Sequence, residues 1–231
     1  MNLAIVGYGK MGRLIERLAP EYGFDAKLRL DVDNNANFEG LTAANFRGID
    51  AAVEFSTPST APENIERLAR LGINVVVGTT GWFDQLERMR SVVDRGQTGA
   101  VWSPNFSVGV SVFSQLVEEA ARLLARQPEY GAWAWEIHHA TKKDAPSGTL
   151  LALLERMHQS GYERPIDASA SRAGTHPGTH EIGFDSASDT ITIRHTARSR
   201  DGFARGALRA ARWVVGRKGF FDFREIVNEL E

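Results

Sequence analysis

Gly7-Tyr8-Gly9-Lys10-Met11-Gly12 follows directly on the apolar run Leu3-Ala4-Ile5-Val6 and leads into an amphipathic stretch, Met11–Ala19. Strand, glycine loop and helix in immediate succession are what the first βαβ unit of a dinucleotide-binding domain requires. Gly7 permits the tight turn, Gly9 lets backbone approach a pyrophosphate, and Gly12 lets helix and strand pack closely. The first N–H groups of the helix then face the phosphates. Tyr8, Lys10 and Met11 lie in the same loop and join the glycines as cofactor-binding candidates. An acidic residue about 20 positions further on would hold the adenosine ribose hydroxyls, and Asp31 stands there, at the end of the second strand. Val32, Asp33 and Asn34 follow it without an arginine. A 2′-phosphate would meet negative charge at that point, so NADH is expected to be preferred over NADPH, with Lys10 as the loop cation able to reach such a phosphate.

The same alternation continues to about Trp102. Strand-like runs at Leu3–Val6, Lys27–Val32, Ala51–Phe55, Asn74–Val77 and Ala100–Trp102 are interleaved with helical patterns at Met11–Ala19, Pro62–Leu71 and Phe83–Val93. The strands are almost wholly apolar, as parallel strands covered on both faces are. Pro62 suits a first helical turn and Gly72 a helix C-cap. Beyond Asn105 the rhythm changes. A helix at about Val110–Ala125, a strand at Trp133–His138, a helix at Thr149–Met157, a loop-rich stretch and a strand at Thr190–Thr196 describe a separate α+β domain. Helical patterns return at Phe203–Val215 and Phe223–Leu230 and are expected to pack back on the first domain. The fold class is therefore α/β, a Rossmann-type domain with an α+β companion.

Composition narrows the function. A formal net charge of −2 offers no global positive field for a nucleic acid backbone. The arginines Arg205, Arg209 and Arg212 share one helical face, read as a solvated one. With no cysteine, disulfides, thiolate metal sites and cysteine nucleophiles are all excluded. The first apolar run starts at Leu3, which leaves no room for a basic leader or signal core, and no later stretch approaches membrane-spanning length. A cytoplasmic location without membrane association is expected.

The segment Glu136-Ile137-His138-His139-Ala140-Thr141-Lys142-Lys143-Asp144-Ala145-Pro146-Ser147-Gly148-Thr149 carries the chemistry of the second domain. Two histidines end a strand, two lysines follow, and Pro146-Ser147-Gly148-Thr149 opens a helix whose free amides favour a carboxylate or phosphate. Residue by residue, these groups could be a solvated lysine pair, a capped helix and a core histidine. As a cluster beside a dinucleotide domain, they describe a site for an anion that also needs a proton.

The run His138-His139-x-x-Lys142-x-Asp144-Ala145-Pro146-Ser147-Gly148-Thr149 resembles the signature of the 4-hydroxy-tetrahydrodipicolinate reductase (dihydrodipicolinate reductase) family. The resemblance extends, in the family's order, to Gly7-x-Gly9-x-Met11-Gly12, Gly78-Thr79-Thr80-Gly81 and Asn105-Phe106-Ser107-x-Gly109-Val110. It implies NAD(P)H-dependent reduction of a cyclic dicarboxylate in diaminopimelate and lysine biosynthesis. It also implies a dinucleotide-binding domain at 1–106 and 201–231, with a substrate-binding and oligomerisation domain at 107–200 inserted in it, and a homotetramer. Gly78, Thr79 and Thr80, with Ser103, Pro104, Asn105 and Phe106, correspond to nicotinamide-side contacts. His138 and Lys142 match the family's proton donors, and His139, Ser147, Gly148 and Thr149 its substrate-binding stretch. Arg200 falls near a family arginine at the return between domains. Two departures stand out: the chain is shorter than in many relatives between Gly183 and Thr190, and Ser103-Pro104 replaces the small residues common before Asn-Phe.

Other reaction classes lack support. Thioester-forming aldehyde dehydrogenases need a cysteine, and no G-x-S-x-G elbow is present for serine hydrolysis. His176 and His180 have suggestive spacing for a metal, but Pro177-Gly178 breaks any helix between them and no third ligand is evident, so no metal is expected. A sugar or amino-acid dehydrogenase remains as an enzymatic alternative, separable by substrate screening. A nonenzymatic NADH sensor would not need His138, Lys142 and an anion-binding helix start together.

Overall fold

A computed structural model describes residues 1–230 in two compact units, one of residues 1–108 with 201 onward and one of residues 109–200. In chain order the elements are β1 (Asn2–Val6), α1 (Lys10–Leu18), β2 (Asp25–Leu30), β3 (Ala51–Glu54), α2 (Ala61–Arg70), β4 (Asn74–Val77), α3 (Leu86–Gly96) and β5 (Gly99–Trp102). The second unit contributes α4 (Val108–Leu124), β6 (Gly131–His138), α5 (Gly148–Gln159), β7 (Ile166–Arg172), β8 (Thr179–Asp185) and β9 (Thr190–Thr196). The chain then returns as α6 (Asp201–Val214), β10 (Gly219–Asp222) and α7 (Phe223–Ile226).

The first unit is a parallel six-stranded sheet in the order β10-β5-β4-β3-β1-β2. Alternate strand residues go to opposite faces. Leu3, Ile5, Val53, Val76 and Val101 pack with Ile15 of α1 and with Ala204, Ala207, Leu208 and Ala211 of α6. Ala4, Val6, Val75 and Val77 pack with Ile65 and Leu68 of α2 and Met89 and Val93 of α3. Helices thus cover both faces, which is why β1, β3, β4 and β5 read as largely apolar runs; the edge strand β2, Asp-Ala-Lys-Leu-Arg-Leu, departs from that expectation, with only Leu30 fully buried. Each fully buried aliphatic side chain contributes roughly 2 kcal/mol to this core. Gly206 lets α6 approach closely, since a Cβ there would stand 1.7 Å from the Phe106 carbonyl oxygen. With β2 and β3 on opposite sides of β1, the lateral direction of winding reverses at β1. Ligands of open parallel sheets bind at such a switch point, outside the carboxyl ends of the strands.

The second unit is a mixed sheet in the order β7-β6-β8-β9, with β6 and β7 parallel and the other pairs antiparallel. Phe113, Val117 and Ala121 of α4 and Leu150, Leu153 and Met157 of α5 pack against Ala132, Ala134, Ile182 and Phe184 on one face. The other face carries Trp133 and Trp135; the Trp133 indole lies over Gly183, where a Cβ would stand 2.1 Å from the ring.

Three further strands depart from the sequence expectation. β7 and β8 occupy the stretch read as loop, and β10 forms the edge of the first sheet. β7, Ile-Asp-Ala-Ser-Ala-Ser-Arg, buries none of its residues fully and so has no apolar face to betray it. Between Gly183 and Thr190, where the chain is short, Asp185 and Thr190 pair directly and a tight turn closes the β8–β9 hairpin.

Candidate active site

In the first unit, the glycine loop has the geometry its sequence requires. Gly7 sits at φ +93°, and a Cβ on it would collide with the Phe55 backbone oxygen at 2.2 Å. A Cβ on Gly12 would lie 2.3 Å from the Gly7 oxygen and 3.1 Å from Ile5 Cγ2, so helix and strand pack at a separation only glycine allows. Gly9, the N-cap of α1, has nothing within 4 Å of its Cβ position. Beside it lies a cavity of about 430 Å³ at the ends of β1, β2 and β3, lined by Gly7, Gly9, Asp31, Val32, Phe55 and Ser56. Bare backbone at a helix start, open space and an adjoining acid fit a dinucleotide. Asp31 is fixed through its amide, which donates to Asn34 Oδ1 at 2.8 Å. Lys10 is exposed at the first position of α1, and Met11 is half-buried. The Tyr8 hydroxyl donates to Glu16, and the Arg13 guanidinium lies 5.0 Å from its ring centroid.

The remaining cofactor candidates end neighbouring strands. Gly78, Thr79 and Thr80 follow β4. Gly78 makes room for the Phe55 ring, and the Thr79 hydroxyl accepts from the Ser56 amide at 2.8 Å. Ser103 to Phe106 follow β5: the Ser103 hydroxyl donates to the Asn105 carbonyl at 2.8 Å and Asn105 Oδ1 accepts from the Ser107 amide, which shapes the loop. Pro104 is exposed, whereas Phe106 is buried, its ring packed with Phe55 and Phe223.

In the second unit, period-two alternation along β6 sends Ala132, Ala134, Glu136 and His138 to the helix-covered side. The stripe is apolar in its first half and ionisable in its second. Glu136 is 0% exposed, and a buried carboxylate requires partners. It has four. The Ser147 amide donates to Oε1 at 2.8 Å and the Ser147 hydroxyl to Oε2; Arg172 donates to Oε1 at 2.9 Å; His180 Nε2 lies 3.3 Å from Oε2. Burial alone would raise the Glu136 pKa, but the Ser147 donors and the Arg172 guanidinium outweigh it and hold it below the usual range. His138 Nδ1 lies 3.6 Å from Glu136 Oε2, and the His138 and His180 rings are 5.1 Å apart. Burial lowers the pKa of both histidines. Lys142 and Arg172 push His138 further down while Glu136 opposes them, and His180 falls to about 4.

Ser147 is the N-cap of α5, its hydroxyl accepting from the Leu150 amide. Gly148 follows with open space at its Cβ position, and Thr149 is half-buried. The Lys142 ammonium is held by both Asp144 oxygens at 2.8 Å. His139 pairs with the Thr141 hydroxyl at 2.8 Å, and Arg200 is exposed; neither is joined to the Glu136 network by a bond among the described residues.

Glu136 and Arg172 were not singled out from sequence, and His180 only for its spacing from His176. Alternation along β6 marks Glu136 as a neighbour of His138, but Arg172 and His180 lie on strands the sequence did not reveal. The expectation that His180 has no further ligand-type neighbours is corrected: Glu136 and His138 offer atoms within 4.8 Å of one another and of His180, while His176 instead accepts from the Gly178 amide. With Arg172 as its cation and Ser147 donating to both oxygens, Glu136 is satisfied by hydrogen bonds. Of the arginine stripe on α6, Arg205 is ion-paired with Glu21 at 2.6 Å, in keeping with an ordinary surface face.

Comparison with known proteins agrees with this architecture. Two sequence families match in tandem, "Dihydrodipicolinate reductase, N-terminus" over residues 1–106 and "Dihydrodipicolinate reductase, C-terminus" over residues 109–227. The chain is similar to the 4-hydroxy-tetrahydrodipicolinate reductase of Christiangramia forsetii, 34% identical over 241 residues and covering 100% of this chain and 99% of that protein. The protein of the same name from Methanoculleus marisnigri is 39% identical over 234 residues, 91% of each chain. Dipicolinate-bound dihydrodipicolinate reductase from Paenisporosarcina sp. TG-14 shares the fold, with a TM-score of 0.82 at 20% identity over 100% of this chain and 99% of that one. Matches at this identity along essentially the full length establish that the chain belongs to the dihydrodipicolinate reductase family.

Proposed function

We propose that this NAD(P)H-dependent oxidoreductase reduces 4-hydroxy-tetrahydrodipicolinate to tetrahydrodipicolinate in diaminopimelate and lysine biosynthesis. Residues 1–106 and 201–231 act as the dinucleotide-binding domain, and 107–200 as the substrate-binding and oligomerisation domain. The observation that carries the reading is the joining, around the end of β6, of an imidazole, an ion-paired lysine and an open helix start. A cyclic dicarboxylate needs that combination. Its carboxylates need oriented N–H donors and cations, and a ring that accepts a hydride must also accept a proton.

The amides of Gly148 and Thr149, presented by the Ser147 cap, receive a carboxylate, with His139 and Arg200 as further substrate contacts. Lys142 is the first choice to deliver the proton at Nζ, and His138 assists. Gly7 to Gly12 hold the pyrophosphate, Asp31 the adenosine ribose, and Gly78, Thr79, Thr80 and Ser103 to Phe106 the nicotinamide side. When bound, the nicotinamide supplies the hydride. A carboxylate at Asp31, followed by Val32, Asp33 and Asn34, supports NADH over NADPH, so kcat/KM is expected to be higher with NADH; a strong NADPH preference overturns this.

The deciding assay follows NADH consumption with freshly generated 4-hydroxy-tetrahydrodipicolinate. Turnover supports the reading, and its absence, with turnover on a sugar or amino acid instead, rejects it. The face of the second sheet that carries Trp133 and Trp135, and the exposed Val112, Leu116 and Leu123 of α4, support a homo-oligomer, for which we propose a tetramer. Light scattering on the eluting species tests it. No helix among the described residues is long and apolar enough to cross a membrane, and we place the enzyme in the cytoplasm, testable by fractionation.

A further inference from the structure

We propose that Glu136 is the positioning residue of the substrate site: one buried carboxylate that fixes the N-cap of α5 through Ser147 and sets the charge facing the His138 imidazole. The inference rests on the function proposed above. It is carried by register. Glu136 stands directly across from His180 on β8, and His138 directly across from Arg172 on β7, so two cross-strand pairs meet at one end of the sheet. Glu136 Oε1 takes the Ser147 amide and Arg172, while Oε2 takes the Ser147 hydroxyl and faces both imidazoles. Ser147 also caps α5 at Leu150 and lies 3.1 Å from His180 Nε2 through its hydroxyl.

The start of α5 and the end of β6 are thereby tied to a single side chain. A helix start loosened by less than an ångström would misplace a carboxylate relative to its donors. Arg172 adds a third tie, donating to the Asp144 carbonyl in the loop that carries Lys142. His138 Nδ1 is buried with no hydrogen-bond partner, so the nearby Glu136 charge governs it without locking it. The charged and titratable groups facing this pair come from every neighbouring element. Lys142 and Asp144 belong to the loop after β6, Arg172 to β7, and His195 to β9, across from His180.

Full-length Glu136→Gln, Glu136→Asp and His138→Gln proteins separate the possibilities, with kcat, KM for 4-hydroxy-tetrahydrodipicolinate, the pH profile of kcat/KM and NADH binding measured for each. Glu136→Gln removes the charge that raises the His138 pKa. The limb of the kcat/KM profile that reports the assisting His138 imidazole is therefore expected about one pH unit lower, with KM raised about tenfold and NADH binding unchanged. Glu136→Asp keeps the charge on a shorter side chain that cannot reach Ser147 and the imidazoles together. It is expected to restore the wild-type pH profile while KM stays high. A purely architectural role would lower the melting temperature and the active fraction, with KM and pH profile unmoved. If His138→Gln loses that limb while Glu136→Gln keeps a wild-type limb and KM, the proposal is wrong and the function stands. If the wild-type protein does not turn over this substrate, the function itself is wrong. Should Glu136→Gln not fold, an unchanged KM in Glu136→Asp overturns the proposal by itself.

Discussion

Lys142 stands in an ion pair that costs the fold little to lose. Its ammonium meets both oxygens of Asp144 at 2.8 Å, but the lysine side chain is 23% and the aspartate 56% exposed. Pairs so open to water contribute about 0–1 kcal/mol. A group that matters for stability and a group that matters for turnover can therefore be told apart here by a single substitution. Lys142→Ala is expected to lower kcat by about 10²-fold or more, while the melting temperature and NADH affinity stay near wild type. Near-normal turnover in that variant removes Lys142 as the proton donor and leaves His138. The contrast with Glu136 is one of burial: the same chemistry of carboxylate and cation, moved inside, becomes something the fold must satisfy completely.

Two helix starts share one open geometry. Gly9 caps α1 and Gly148 opens α5, and neither has an atom within 4 Å of where its Cβ would be. Gly12, one turn into α1, is the opposite case, with Gly7 oxygen at 2.3 Å. Gly9 lies at φ −78°, a conformation any residue adopts, so Gly9→Ala should leave the melting temperature unchanged and weaken NADH binding about tenfold, or roughly 1.4 kcal/mol. Gly12→Ala should instead cost about 2 kcal/mol of stability through overpacking. Calorimetry and a binding titration on both variants check the pair, and the reverse pattern would mean that pyrophosphate is not held at Gly9. The local geometry of these glycines and the strand-end place of Asp31 were readable because turn, helix start and strand end lie within a short stretch of sequence. The Glu136 network was only half readable. His138 and Ser147 stand in one continuous segment, but Arg172 and His180 reach Glu136 through strand pairing. β7 is an edge strand with no fully buried residue, so periodicity had nothing to register there. β10 escaped for a different reason, since its four residues, Gly-Phe-Phe-Asp, acquire meaning only as the partner of β5.

Across the whole molecule, the two units bury titratable groups that answer to pH in opposite directions. In residues 109–200, burial lowers the pKa of His138, His180 and His195, with His180 at about 4. A histidine kept neutral by folding binds its proton only on unfolding. Its contribution is complete above the ordinary histidine pKa, about 6.5, and is lost as pH falls toward the folded value. For His180, about 2 kcal/mol is gone by pH 5. In the other unit, burial raises the pKa of Glu54, which is 0% exposed, against the opposing effect of its Ser56, Thr79 and Asn64 donors. It keeps a proton in the folded state at a pH where the unfolded chain has released it, so its contribution falls as pH rises through that window and recovers on acidification. Between pH 7 and 5, the hydrogen-exchange free energies of core amides in β6 and β8 should therefore drop by about 2 kcal/mol, while those in β3 and β4 hold or rise. His180→Gln should remove most of the drop in the second unit and leave the first unit as it was. An equal loss in both units, or a slope that survives His180→Gln, would place the acid sensitivity outside the histidine cluster.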